Sequence, residues 1–254
     1  SGGMKQQKKL NIISNNLANL SNHGFKKDAL VFEALVPPFK QTGGLEEARN
    51  ILLPAQNSNA GVAYVAVTGF NTDYSQGGLS QTNGELDLAL NGNGFFKVKA
   101  PQGIRYTRKG SFRLGENKFL VTQEGYRVLD EEGNPIAINA QGKKITVDTL
   151  GKISAGLGLQ NIPLGKMKIV SFSKNSMLMK EGNGLFRLTD SKIKEELASD
   201  VTVRQGFLET SNVNNLEEMA QMMSTMRAFE AYQKVIQTID GLNDQAANNL
   251  GRIG

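Results

Sequence analysis

The strongest constraint on this chain lies near its C-terminal end, between Gly206 and Leu250. Apolar residues fall there at Leu216, Met219, Met223, Met226, Phe229, Tyr232, Ile236 and Ile239, at spacings of 3, 4, 3, 3, 3, 4 and 3. That recurrence is helical and close to heptad, with a short step near Phe229. Asn214 supplies an N-cap with Glu217 three residues on, and Glu217 and Glu218 suit the positive end of the helix dipole. The spacing predicts a helix from about Asn214 to Asp240, weakened at Gly241 and roughly 40 Å long at 1.5 Å per residue.

A helix of that length needs a partner, and the other end of the chain offers one. Between Met4 and Leu20 the apolar positions Leu10, Ile13, Leu17 and Leu20 are spaced 3, 4, 3, again a seam of coiled-coil type. The two ends are expected to pair. Eight or ten buried side chains at roughly 1.5–3 kcal/mol each compete with about 1–2 kcal/mol of backbone entropy per ordered residue, so the pair alone is marginal. Met222 and Val235 lie off the main seam and widen the apolar face. Further helices, from other copies or other proteins, are therefore expected to complete the burial.

The rest of the chain reads differently. Ser14 to Phe25 carries Asn15, Asn16, Asn19 and Asn22 before His23-Gly24, a helix stop and turn; a second reading has the amides of Asn15, Asn16 and Asn19 hydrogen-bonding to neighbours and fixing register. From Lys26 to Asn83 periodicity is weak, broken by Pro37-Pro38, Gly43-Gly44 and the run from Gln56 to Gly61, with one strand at Val62 to Thr68. From Gly84 to Leu188 short strands recur at 86–90, 95–99, 104–107, 119–121, 127–129, 136–138, 144–147 and 166–172, separated by Asn-Gly, Gly-Asn, Gln-Gly and Gly-Lys turns. The expected fold is α+β: a discontinuous helical coiled-coil domain from 1–25 and 207–254, an extended connector over 26–83, and a central antiparallel β-rich domain over 84–206.

Composition narrows the chemistry. At 254 residues, 39% hydrophobic and 21% charged, the chain is long and apolar enough to bury a core. It has no cysteine, which excludes disulfides, thiolate metal sites and cysteine nucleophiles. The net charge of +5 is scattered, so nucleic acid is not an expected partner. No run of about 18 apolar residues exists, so no membrane insertion is expected. No charged n-region with an apolar h-region is visible before the first helix, so no classical signal peptide is expected, and the start at Ser1-Gly2-Gly3 without a Met reads as a trimmed N-terminus.

Individual motifs point to structure rather than catalysis. Gly92-Asn93-Gly94 precedes a strand, not the helix N-terminus that phosphate cradling needs, so it reads as a tight turn. His23 is the single histidine, which leaves no histidine metal cluster or triad. Asp130-Glu131-Glu132-Gly133-Asn134 lacks calcium-loop spacing and reads as a solvated turn. Arg105, Tyr106, Arg108, Lys109 and Arg113 form a basic cluster, either a hairpin surface or a dock for an acidic neighbour. Met219, Met222, Met223 and Met226 fit seam packing or a shared groove. A cell-wall-acting enzyme needs paired carboxylates, and Asp87, Glu124 and Asp130 are set together by no motif. A secreted binding module has no use for two helical termini. No cofactor is expected.

Several blocks together resemble the bacterial flagellar rod and hook axial proteins. They are Ser14-Asn15-Asn16-Leu17-Ala18-Asn19 with Asn22-His23-Gly24-Phe25, where Asn22 replaces the usual Thr; Leu90-Asn91-Gly92-Asn93-Gly94-Phe95-Phe96; Tyr106-Thr107-Arg108-Lys109-Gly110-Ser111-Phe112; Leu120-Val121-Thr122-Gln123-Glu124-Gly125-Tyr126; Gly206 to Asn214; and Met226-Arg227-Ala228-Phe229-Glu230. The resemblance implies an axial structural subunit of the basal-body rod. It implies export through the flagellar type III apparatus, assembly across the periplasm, and other copies and other rod and hook proteins as partners. The terminal helices form the inner tube in that family, which assigns to it Leu10, Ile13, Leu17, Leu20, Leu216, Met219, Met223, Met226, Phe229, Tyr232, Ile236 and Ile239, with Asn15, Asn16 and Asn19 beside them. Ile145-Thr146-Val147, Gly151-Lys152-Ile153-Ser154 and Gly184-Leu185-Phe186-Arg187 look closer to the proximal-rod type than to the distal.

Overall fold

In the computed structural model, which describes residues 2–35, 64–140, 142–157, 160–173, 177–190, 194–198 and 200–250, helix α1 (Gly2–Ala18) and helix α2 (Asn215–Leu250) flank a series of short strands. Two compact units are distinguished: Ala29–Asn71, and Ser1–Asp28 with Thr72–Gly254. In the smaller, Asp28–Leu35 pairs with Tyr64–Thr72. Of the strand expected at 62–68, the part from Tyr64 is found and runs on to Thr72, while Val62, Ala63, Pro37-Pro38, Gly43-Gly44 and 56–61 lie outside the described residues.

The larger unit is built around Phe95–Ala100. This strand pairs antiparallel with Gly103–Thr107 along its length, with Arg127–Val128 near its end, and with Ile169–Ser171 at Phe95 and Phe96. Successive side chains on a strand point to opposite faces, and here both faces are covered. Phe96 and Val98 enter a core with Leu88, Phe112, Leu120, Val128, Ile138 and Ile153; Phe95 enters a second one with Tyr106, Phe172, Leu178 and Phe186. Edge-on aromatic pairs fill both, Phe96 against Phe112 at 5.1 Å and Tyr106 against Phe172 at 5.0 Å between centroids.

The central hairpins lie where their turn signals fall, but not all of their partner strands are legible in the sequence. Ile136 and Ile138 are buried, yet their segment makes only isolated bridges, because Pro135 has no N–H for a ladder. The hairpin Lys152–Leu157 with Gln160–Lys166 was not anticipated; its Gly and Pro residues mimic a loop, and its register shifts at Ile153/Ser154. Gly110 is required by sterics, since a Cβ there would lie 1.5 Å from the Leu88 carbonyl oxygen. No described helix is long and apolar enough to cross a membrane.

A partly buried ionic cluster sits over the second core. Glu195 accepts hydrogen bonds from Lys97 Nζ at 2.7 and 2.8 Å and from the Tyr106 hydroxyl at 2.6 Å. Burial by itself would raise the Glu195 carboxyl; the hydrogen bonds from Lys97 and Tyr106 outweigh it and hold the group below its ordinary value of 4.5. A depressed carboxylate adds stability that is present above its unfolded pKa and lost as pH falls through the folded one.

Two outcomes follow from this packing. Phe96→Ala, at a fully buried site, is expected to cost about 3–5 kcal/mol in urea unfolding. Glu195→Gln is expected to lower the melting temperature by about 2–4 °C at pH 7, with the difference from the parent shrinking as the pH falls below 4.5; melts recorded between neutral and about pH 3 check the sign.

Candidate assembly interface

Glu209 ends a three-residue strand, Phe207–Glu209, and its side chain is fully buried. A carboxylate taken out of water must be met by cations and N–H donors. Oε1 accepts from Lys26 Nζ at 2.6 Å and from the Gly77 amide at 3.0 Å, and Oε2 from Arg108 Nε at 2.8 Å. Arg108 also donates to the carbonyls of Gly92 at 2.8 Å and Gly94 at 2.6 Å, and Lys26 to that of Ser75 at 2.6 Å. Burial pulls the pKa of Lys26 and of Arg108 down, against the attraction of Glu209.

This cluster ties together the two segments from which the helices spring. The Gly24 amide donates to the Glu209 carbonyl at 2.8 Å; Gly24 has φ +67°, and a Cβ there would come within 2.6 Å of Arg108. Asn212 accepts from the Lys27 amide at 2.8 Å and donates to the Asp73 carbonyl at 2.8 Å. Lys180 donates to the Lys26 carbonyl at 2.7 Å, pairs with Asp28 at 2.8 Å and stands 3.7 Å from the Phe25 ring centroid. Blocks far apart in sequence, 22–26, 90–94, 106–110 and 206–212, thus converge on one carboxylate.

From that base α1 and α2 pack along each other. Asn16, near the end of α1, donates to Glu218, near the start of α2, at 3.4 Å, so the helices run antiparallel. Asn16 also exchanges hydrogen bonds with the Asp28 backbone at 2.9 and 3.0 Å, which matches the register-fixing reading. Asn19 instead closes the local turn, donating to the Asn15 carbonyl at 2.8 Å and accepting from Asn22 at 2.7 Å, and Asn15 is exposed. Leu20 lies in that turn, past the helix. α2 starts where the cap predicts, with Asn214 Oδ1 accepting from the Leu216 amide at 3.1 Å. It runs past the expected stop to Leu250, because one interior glycine costs about 1 kcal/mol and does not terminate a helix.

The face of α2 turned to α1 is not the apolar stripe read from the sequence. Within the first half of α2, Glu218 and Thr225 are buried and Gln221, Met222, Ala228 and Phe229 half-buried, while Leu10 and Leu17 of α1 are half-buried beside buried Ile13. The stripe itself separates into two patches. Leu216, Met219, Met223 and Met226 are exposed at 80, 49, 57 and 45%, one residue off the α1-facing line. Three successive steps of three, from Met223 to Tyr232, then carry the pattern round the helix. Tyr232, Val235, Ile236, Ile239 and Leu242 form the second patch, 45 to 59% exposed. Leu242 was missed because the helix was expected to stop before it.

The other motifs take structural places. The Gly92 turn has φ +115° and offers its carbonyl to Arg108, and the 130–134 turn is closed by Asp130 Oδ1 on the Asn134 amide at 2.7 Å. The basic cluster is not an open patch: Arg105 pairs with Glu181 at 2.7 Å, Lys109 with Glu124 at 2.9 Å, and Arg108 is buried. Asp87 accepts from Thr82 at 2.6 Å, so Asp87, Glu124 and Asp130 serve three separate turns. Lys26 and Glu209 were overlooked; the one signal was a glutamate inside the apolar Phe207-Leu208-Glu209 run.

Known proteins resemble the chain throughout. Residues 1–26 match the family model described as flagella basal body rod protein, residues 89–155 the flagellar hook protein FlgE/F/G D1 domain, and residues 204–250 the flagellar basal body rod FlgEFG protein C-terminal model. The flagellar basal-body rod protein FlgG of Buchnera aphidicola subsp. Acyrthosiphon pisum is 38% identical over 244 residues, 92% of this chain and 91% of that protein. FlgG of Borreliella burgdorferi is 35% identical over 99% of this chain and 96% of its own length. The flagellar basal-body rod protein FlgF of Caulobacter vibrioides is 34% identical over 98% and 95%.

Glu209→Gln strips the counter-charge from two buried cations and is expected to cost about 3–5 kcal/mol in urea unfolding. Glu217→Gln, on exposed α2 surface, is expected to stay within about 0.5 kcal/mol of the parent.

Proposed function

The chain belongs to the flagellar basal-body rod protein family, and we propose that it polymerises through its terminal helices to form part of the axial shaft that carries torque from motor to hook. Its role is structural and not enzymatic. The observation that carries the assembly reading is the exposure of both apolar patches of α2 in the lone chain. Large apolar side chains grouped in exposed patches mark an interaction surface.

In this reading residues 1–25 and 207–254 form the inner layer and the β-rich body over 84–206 lies outside it, joined through 26–83. The buried Lys26–Glu209–Arg108 cluster makes the junction rigid, so that force on the helices reaches the body. Partners are other copies and other rod and hook axial proteins. Export proceeds through the flagellar type III apparatus to a rod crossing the periplasm. Between rod classes we favour the proximal type on the blocks 145–147, 151–154 and 184–187; relatives bearing both rod names match the chain at similar identity. Complementation of strains lacking one or the other rod protein decides the class.

Met223→Asp combined with Met226→Asp is expected to change the stability of the isolated protein by no more than about 0.5 kcal/mol at each site, since both sites are exposed. The same pair is expected to abolish rod formation and swimming. Normal basal bodies in that mutant, seen by electron microscopy, overturn the assembly reading.

A further inference from the structure

Of the cations borne by strands of the central sheet, Lys97, Arg105, Lys180 and Arg187 each pair with a carboxylate. Lys99, Arg127 and Arg113 do not: among the described residues none of the three is in an ion pair. The strand register puts them in one line. Ile104 stands opposite Lys99, Lys99 opposite Arg127, Arg127 opposite Val121, and Val121 opposite Arg113, across five neighbouring strands. Residues opposite one another in a ladder turn their side chains to the same face. Here it is the face away from the core that holds Val98, Val128 and Leu120.

Lys99, Arg127 and Arg113 are exposed on that face, and Ile104 is 45% exposed, while Val121 is buried between the two arginines. Arg113 is the one member of the basic cluster read from the sequence that is left open. The Arg127 guanidinium lies over the Phe119 ring, 4.8 Å from its centroid. In a bare sheet Lys99 directly opposite Arg127 is unfavourable, because like charges in a cross-strand pair repel. An anion on the row removes that cost.

We propose that this row is a docking surface for an acidic segment of another protein, which sets carboxylates against Lys99, Arg127 and Arg113 and an apolar side chain against Ile104. Four steps of about 4.8 Å make the row roughly 19 Å long, the reach of about six extended residues. The planar fork of each arginine takes a carboxylate with two parallel hydrogen bonds. A phosphate polymer satisfies the cations but has no apolar group to set on Ile104. The row lies on the β-rich body and does not involve the patches of α2.

Full-length protein is titrated with a fluorescent peptide of Glu-Glu-Leu repeats, and separately with polyphosphate of the same net charge, using anisotropy and competition as readouts. K99Q/R113Q/R127Q is expected to weaken peptide binding about tenfold. K143Q/K144Q/K152Q removes the same charge elsewhere on the body and is expected to leave binding within about twofold of the parent. Reversal of the row, K99E/R113E/R127E, is expected to abolish binding of the Glu peptide and to create binding of a Lys-Lys-Leu peptide. Melting temperatures check that each variant is folded. If loss of the Phe119 contact unfolds the triple variants, K99Q/R113Q carries the test with an expected loss of about fourfold. Equal losses in the two Gln triple variants, tighter binding of polyphosphate than of the Glu peptide, or no peptide binding at about 50 mM salt overturns the proposal. So does self-association of the protein alone that K99Q/R113Q/R127Q abolishes, which seats a second copy on the row. The assembly reading is tested by changes at Met223 and Met226, so the two fail independently.

Discussion

The two terminal helices spring from segments held by one buried carboxylate. Glu209 holds Lys26 on one side and Arg108 on the other, all three at 3% exposure or less. A buried ion pair is weak evidence for stability, because desolvation offsets most of the attraction. Its worth here is geometric. Arg108 reaches three carbonyls of the turn after Ala89, and Lys26 reaches Ser75, so the carboxylate has one position in which all donors are satisfied. The exit of α1 and the approach to α2 then have one position as well.

The consequence is a division of labour along α2. Near its start the helix is held on three counts: by the Asn214 cap, by Asn16 on Glu218, and by α1 lying against Thr225 and its neighbours. The seam between the helices is polar and small on the α2 side. That leaves the larger apolar side chains free to face elsewhere. With α1 about 26 Å long and α2 about 54 Å, the chain covers less than half of its own longest element.

This distribution suits a protein whose stable part and associating part differ. The body has two cores, aromatic pairs and ion pairs within it. Among the described residues the far half of α2 has none of these and lies exposed. Exposed methionines at the first patch are unbranched and adapt to the surface that they meet, while the second patch carries β-branched Val235, Ile236 and Ile239, which hold their shape.

How much of this was legible in the sequence differs by element, for physical reasons. Local signals were sufficient where interactions are local. The Asn214 cap set the start of α2, Gly92 and Gly133 marked their turns, and the alternation around Phe95 marked the central strand. The helical spacing showed that the C-terminal stripe exists, and the joint motif blocks carried the family. The periodicity did not reveal that the stripe is two patches, because spacings of three and four look alike in one dimension, yet the sixteen residues from Leu216 to Tyr232 turn the pattern by about 160°. Which face met α1 was decided by tertiary contacts, since Asn16, Glu218 and Thr225 carry no apolar signature. Nor did any local pattern join Lys26, Arg108 and Glu209. Pairing of charges from three distant segments is set by how the strands fold back on one another, and only that folding brought them to the same carboxylate.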